Sequence, residues 1–146
     1  MNNYSEKDID KLNEFLKSEI SAVETYGQAI EKSSDSLTVQ RLVELRQSHA
    51  SRAQLLRERI VALGGTPVEG SGVWGSFAKM VEGGAKAMGE KAAIAALEEG
   101  EDRGLKEYRS EIDDLSDAQR QFVASMILPE QQRSHDAMSR MKKSMM

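Results

Sequence analysis

The sequence predicts an all-α fold, an antiparallel bundle of four helices, on three observations. Apolar residues recur at a 3-then-4 spacing in four stretches. Good helix formers dominate a composition with only 5% aromatic residues and two prolines, and a single connection collects a long Gly-rich run. At 146 residues the chain is about one domain in length, enough to bury a core.

The first helix spans about 5–33, with Ile9, Leu12, Leu16, Val23, Tyr26 and Ile30 on one stripe. Ser33 to Ser36 punctuates it and offers N-cap oxygens to a second helix over 36–63, whose stripe is Leu42, Leu45, Ala53, Leu56, Ile60 and Leu63. Gly64-Gly65 and then Thr66-Pro67 end that helix. A third helix, 89–114, carries Ile94, Leu97, Leu105, Tyr108, Ile112 and Leu115. Ser116-Asp117-Ala118-Gln119 has the form of a capping box opening a fourth helix over 117–143. Pro129 lies inside it, which predicts a kink near Ile127 and Leu128. Between the two hairpins, 73–88 reads as a short amphipathic helix with Trp74 and Phe77 on its apolar side, a crossover carrying the chain along the bundle.

Composition excludes several classes of function. A net charge of −4 and a pI near 5.3 provide no basic face for nucleic acid. Without cysteine there are no disulfides and no thiolate metal sites. No apolar run reaches the ~20 residues needed to span a bilayer, and the polar N-terminus has no signal-like apolar region. A cytoplasmic protein is the expectation. The methionines Met138, Met141, Met145 and Met146 read as gap-filling core or a frayed terminus.

Ionisable residues interrupt the apolar seams. The heptad positions of the first helix place Glu19 inward, and those of the second place His49 inward, in the series Leu42, His49, Leu56, Leu63. On the third helix Glu101 falls among Ile94, Leu97, Leu105 and Tyr108, and on the fourth the series Leu128, His135 points His135 inward. Glu19 precedes Tyr26 by seven residues and Glu101 precedes Tyr108 by seven, so the hairpins read as copies of one unit. Glu19 with His49, and Glu101 with His135, are symmetric about the two turns, which predicts that all four converge in one layer.

A Glu from each of two helices and a Glu-x-x-His from each of the other two builds a di-iron site in a bundle core. Here Arg46 and Gln132 stand three residues before the two histidines. Two bridging carboxylates are therefore missing.

With Glu-x6-Tyr twice, histidines on the second and fourth helices, LGGTP, GSGVWG and EEGEDRGLKEY, the sequence resembles the ferritin-like superfamily. More narrowly it resembles a bacterial family of four-helix-bundle proteins classed as a domain of unknown function. The resemblance implies a ferritin-like antiparallel bundle with a crossover between the second and third helices. It also implies Glu19, His49, Glu101 and His135 as metal-ligand positions, flanked by Tyr26, Tyr108, Arg46, Gln132 and Glu98. Two readings stay open. In one the site is degenerate, Arg46 supplies the missing positive charge, and the protein has a non-catalytic structural, interaction or stress-accessory role, alone or as a homodimer. In the other the set holds an iron, zinc or manganese ion in a ferritin-type oxidative or storage protein.

Overall fold

The computed structural model describes residues 3–70 and 89–145, with side chains described from residue 6 onward. Helix α1 spans Asn3–Lys32, α2 Ser36–Ala62 and α3 Glu90–Glu111, with a 3₁₀ turn at Ile112–Asp114. The fourth helix is continuous but divided: α4 at Asp117–Phe122, a π turn at Val123–Ile127, and α5 at Leu128–Ser144. No strand occurs among the described residues. The crossover helix expected within 73–88 lies outside them.

The helix ends follow from local chemistry. Asp35 caps α2, its carboxylate accepting from the Thr38 amide at 2.8 Å. At the other end Gly64 turns left-handed (φ 85°), and the Gly64 and Gly65 amides reach back to the Val61 and Ile60 carbonyls at 2.9 Å, a Schellman closure. Gly65 is also sterically required, since a Cβ there would lie 2.7 Å from the Ile9 side chain. The expected capping box at Ser116 does not form. Asp8 of α1 takes that serine instead, accepting from its amide at 2.9 Å and its hydroxyl at 2.5 Å. A buried carboxylate from a neighbouring helix supplies what the local motif would have supplied, and ties the two ends together.

Where a kink is expected the structure has a π turn. Pro129 has no N–H, and in a regular α-helix its ring would clash with the carbonyl four residues back. The turn before it widens, so that the Leu128 amide donates to the Val123 carbonyl, five residues back. The extra residue resets everything downstream. At 100° per residue a regular helix would put Gln131 ~80° and Met138 ~60° from the direction of Val123. The observed seam is Ile127, Gln131, Ser134 and Met138, and Met126 is half exposed.

Helix α1 pairs with α2, and α3 with α5, each as a hairpin, and α1 meets α3 between the hairpins. Two apolar clusters fill the bundle. One gathers Leu12, Phe15, Leu16, Leu56, Ile60 and Phe122 among others, and the second gathers Ala29, Leu42, Ile94, Leu97, Met138 and Met141. A fully buried leucine such as Leu56 contributes roughly 1.5–3 kcal/mol. Between the clusters lies a layer of polar side chains.

Candidate functional site

Four helices supply this layer: Glu19 and Tyr26 from α1, His49 and Arg52 from α2, Glu101 and Tyr108 from α3, Gln131 and Ser134 from α5. All eight are buried. The His49 ring stands between the two carboxylates, with Nδ1 2.5 Å from Glu19 Oε1 and Nε2 2.5 Å from Glu101 Oε1. A neutral imidazole would set a lone pair against one of these anions, so the ring carries both protons. Each tyrosine serves the other hairpin's glutamate. The Tyr26 hydroxyl donates to Glu101 Oε1 at 2.7 Å and the Tyr108 hydroxyl to Glu19 Oε2 at 2.5 Å.

Arg52, 1% exposed, heads the fully buried side chains in volume. Its Nη1 donates to Gln131 Oε1 at 2.6 Å and lies 3.6 Å from Glu19 Oε2. Its Nη2 donates to Ser134 Oγ at 3.1 Å, and its Nε to the Ser48 carbonyl at 3.3 Å. Gln131 and Ser134 in turn donate to Glu101 Oε2, at 3.1 and 2.7 Å. Two carboxylates, an imidazolium and a guanidinium make a layer with no net charge.

The electrostatics follow from that balance. Burial alone would raise Glu19 and Glu101, but Arg52 and His49 overcome it at Glu19, and His49, Arg52 and the Ser134 hydroxyl overcome it at Glu101. Both are held below the ordinary carboxyl range, Glu101 at about 2. Burial would lower His49, and Arg52 opposes its charge too, yet the two glutamates raise it. Burial and the adjoining carboxylates push both tyrosines well above 10, so they act as neutral donors.

Of the four expected ligand positions, three meet and one does not. His135 is one residue past the inward Ser134. It sits part-exposed at the flank, with Nδ1 3.2 Å from Asp136 and Nε2 3.5 Å from Asp102. Arg46 is also corrected: it is exposed, its guanidinium lying over Gly27, and the buried cation is Arg52. Gln132 bonds Arg109 and Asp136 outside the layer, and Glu98 faces Lys142 at 3.8 Å. Tyr26 and Tyr108 flank the glutamates as expected.

The residues missed by sequence reasoning are Arg52, Gln131 and Ser134, and a signal for them exists. Arg52 and Ser134 are 82 positions apart, and the same offset relates Glu19 to Glu101, Tyr26 to Tyr108 and His49 to Gln131. Within each hairpin the glutamate meets a partner 30 residues on, His49 or Gln131. The hairpins are thus pseudo-symmetric, but aligned on His49 with Gln131 rather than with His135.

As arranged, these side chains do not fit a metal ion. Both His49 nitrogens face carboxylates, leaving no lone pair for a ligand bond, and a guanidinium already lies in the layer. Among the described residues no group of three or more His, Cys, Asp and Glu is placed to hold one. A cavity of about 30 Å³ between α1 and α3, bordered by Thr25, Leu97, Gly100 and Gly104, has room for about one water molecule.

A family model described as a domain of unknown function (DUF2383) matches residues 7–114. No curated protein and no solved structure is significantly similar to the chain.

Proposed function

The chain belongs to that family of unknown function, and we propose that it is a ferritin-like bundle whose metal layer has been replaced by side-chain cations, leaving a non-catalytic structural or interaction protein. The observation that carries this reading is the His49 imidazolium bridging Glu19 and Glu101, with the Arg52 guanidinium beside it. Carboxylate di-iron bundles set one Glu on each of two helices and a Glu-x-x-His on each of the others. Here Glu19 and Glu101 keep the first two places, while His49-x-x-Arg52 and Gln131-x-x-Ser134 take the two i,i+3 places.

The connectivity supports the same architecture. The end of α2 lies by the start of α1, where Asn13 bonds the Thr66 carbonyl and the Val68 amide at 3.1 and 2.9 Å. The start of α3 lies at the opposite end, where Glu90 accepts from Ser33, Ser34 and Asp35 at 2.5, 2.7 and 3.2 Å. Asn13 and Lys32 of α1 are ~28 Å apart at 1.5 Å per residue, so the end of α2 and the start of α3 lie at opposite ends of the bundle, a separation that supports the crossover of a ferritin-like topology.

Such a layer acts through specificity. A buried ion network often contributes no more stability than an apolar core, but shifting any helix would strand a charge among apolar groups. The test is elemental analysis of untagged protein purified without chelator, followed by aerobic Fe²⁺ titration. The reading expects no stoichiometric metal and no accelerated iron oxidation. One or two tightly held ions per chain would overturn it.

A further inference from the structure

We infer that the two hairpins are docked by charge complementarity across the polar layer, so that the pairing surface of each fits the other and not a second copy of itself. The α1/α2 hairpin brings Glu19, His49 and Arg52 to the layer, one net positive charge. The α3/α5 hairpin brings Glu101 with the neutral Gln131 and Ser134, one net negative charge. Five of the layer's bonds cross between hairpins: His49 and Tyr26 to Glu101, Tyr108 to Glu19, and Arg52 to Gln131 and Ser134.

The pseudo-symmetry makes the consequence definite. Every layer residue has a counterpart 82 positions away, the separation of Arg52 and Ser134, and the two glutamates and two tyrosines are identical between hairpins. Only the His49/Gln131 and Arg52/Ser134 positions differ. The cations needed by both glutamates are therefore placed on one hairpin alone. Two hairpins of the first kind would bury two positive charges in excess and two of the second kind two negative, each arrangement costly in a buried layer. Self-pairing is disfavoured even though the backbone positions match, which directs duplicated halves to unlike pairing. The inference concerns how the halves recognise each other and holds whether or not the ferritin-type reading is correct.

An exchange of the two differing positions in the full-length chain tests it. His49→Gln with Arg52→Ser makes the layer doubly negative, and Gln131→His with Ser134→Arg makes it doubly positive. All four substitutions together restore neutrality with the cations on the other hairpin. Thermal unfolding by circular dichroism should show each double variant losing on the order of 10 °C or more in Tm, or failing to fold, and the fourfold variant recovering to within about 5 °C of the wild type. A fourfold variant no better than either double, or unable to fold, would overturn the inference. So would double variants that melt with the wild type.

Discussion

Glu101→Gln isolates the charge of the layer while keeping its shape. Glu101 accepts from His49, Tyr26, Ser134 and Gln131 at 2.5, 2.7, 2.7 and 3.1 Å. An amide in its place removes the anion and turns two N–H bonds toward groups that are themselves donors. Removing one partner of a buried charge pair typically costs ~3–5 kcal/mol. The carboxyl's own titration leads to the same figure: held at about 2 against the ordinary 4.5, it contributes about 3 kcal/mol at neutral pH. Because the folded-state value is depressed, this contribution is present above pH 4.5 and disappears as the pH falls toward 2. Glu101→Gln should therefore lower Tm by about 10 °C at pH 7 and by roughly half as much at pH 3, measured by circular dichroism at 222 nm. Glu99→Gln, at an exposed ion pair with Arg103, should change stability by no more than about 0.5 kcal/mol. A Glu101→Gln protein within about 1 kcal/mol of the wild type at pH 7 would refute the reasoning.

Other perturbations separate the layer from its surroundings. His49→Ala should cost at least ~3 kcal/mol and His135→Ala less than about 1 in urea unfolding; comparable losses would mean the wrong histidine was placed inside. Glu107, pushed up to about 7 by burial, with Glu111, Glu19 and Glu14 adding to it, binds its proton more tightly folded than unfolded, so its contribution is complete below pH 4.5 and lost as pH rises through 7. Glu107→Gln should accordingly be the more stable by roughly 1–2 kcal/mol at pH 8, after discounting for solvent screening, and equal to the wild type at pH 4. Gly104→Ala would bring a Cβ within 2.8 Å of the Gln131 amide that holds Glu101, and should lower stability by about 1 kcal/mol although alanine is the better helix former; a net gain in urea midpoint would show that the amide position is not critical.

Much of the fold is legible because apolar periodicity and turn chemistry are local. The helix bounds at Asp35 and Gly64 follow from residues at those positions, and Glu19, His49 and Glu101 stand out because each interrupts an otherwise apolar heptad. The rest depends on contacts between distant segments. Ser116 looks like the start of a capping box until Asp8, far away in sequence, takes its hydrogen bonds. A heptad counted from Leu128 turns His135 inward, but the buried seam residue is its neighbour Ile127, and the same count from there reaches Ser134. Arg52 follows Leu45 at heptad spacing, but an arginine there reads as a flanking residue that reaches solvent. Only the combined demand of Glu19, Gln131 and Ser134 explains its burial.

The central claim, that the bundle neutralises its own buried carboxylates with His49 and Arg52, is tested most directly at the His49 ring. Nitrogen-15 and proton NMR of the imidazole, followed from pH 5 to 8, should show both ring nitrogens protonated at pH 6.5, where an ordinary histidine is half neutral, because the ring bridges two carboxylates that raise it above that value. A His49 ring that is half neutral at pH 6.5 or below would contradict the account.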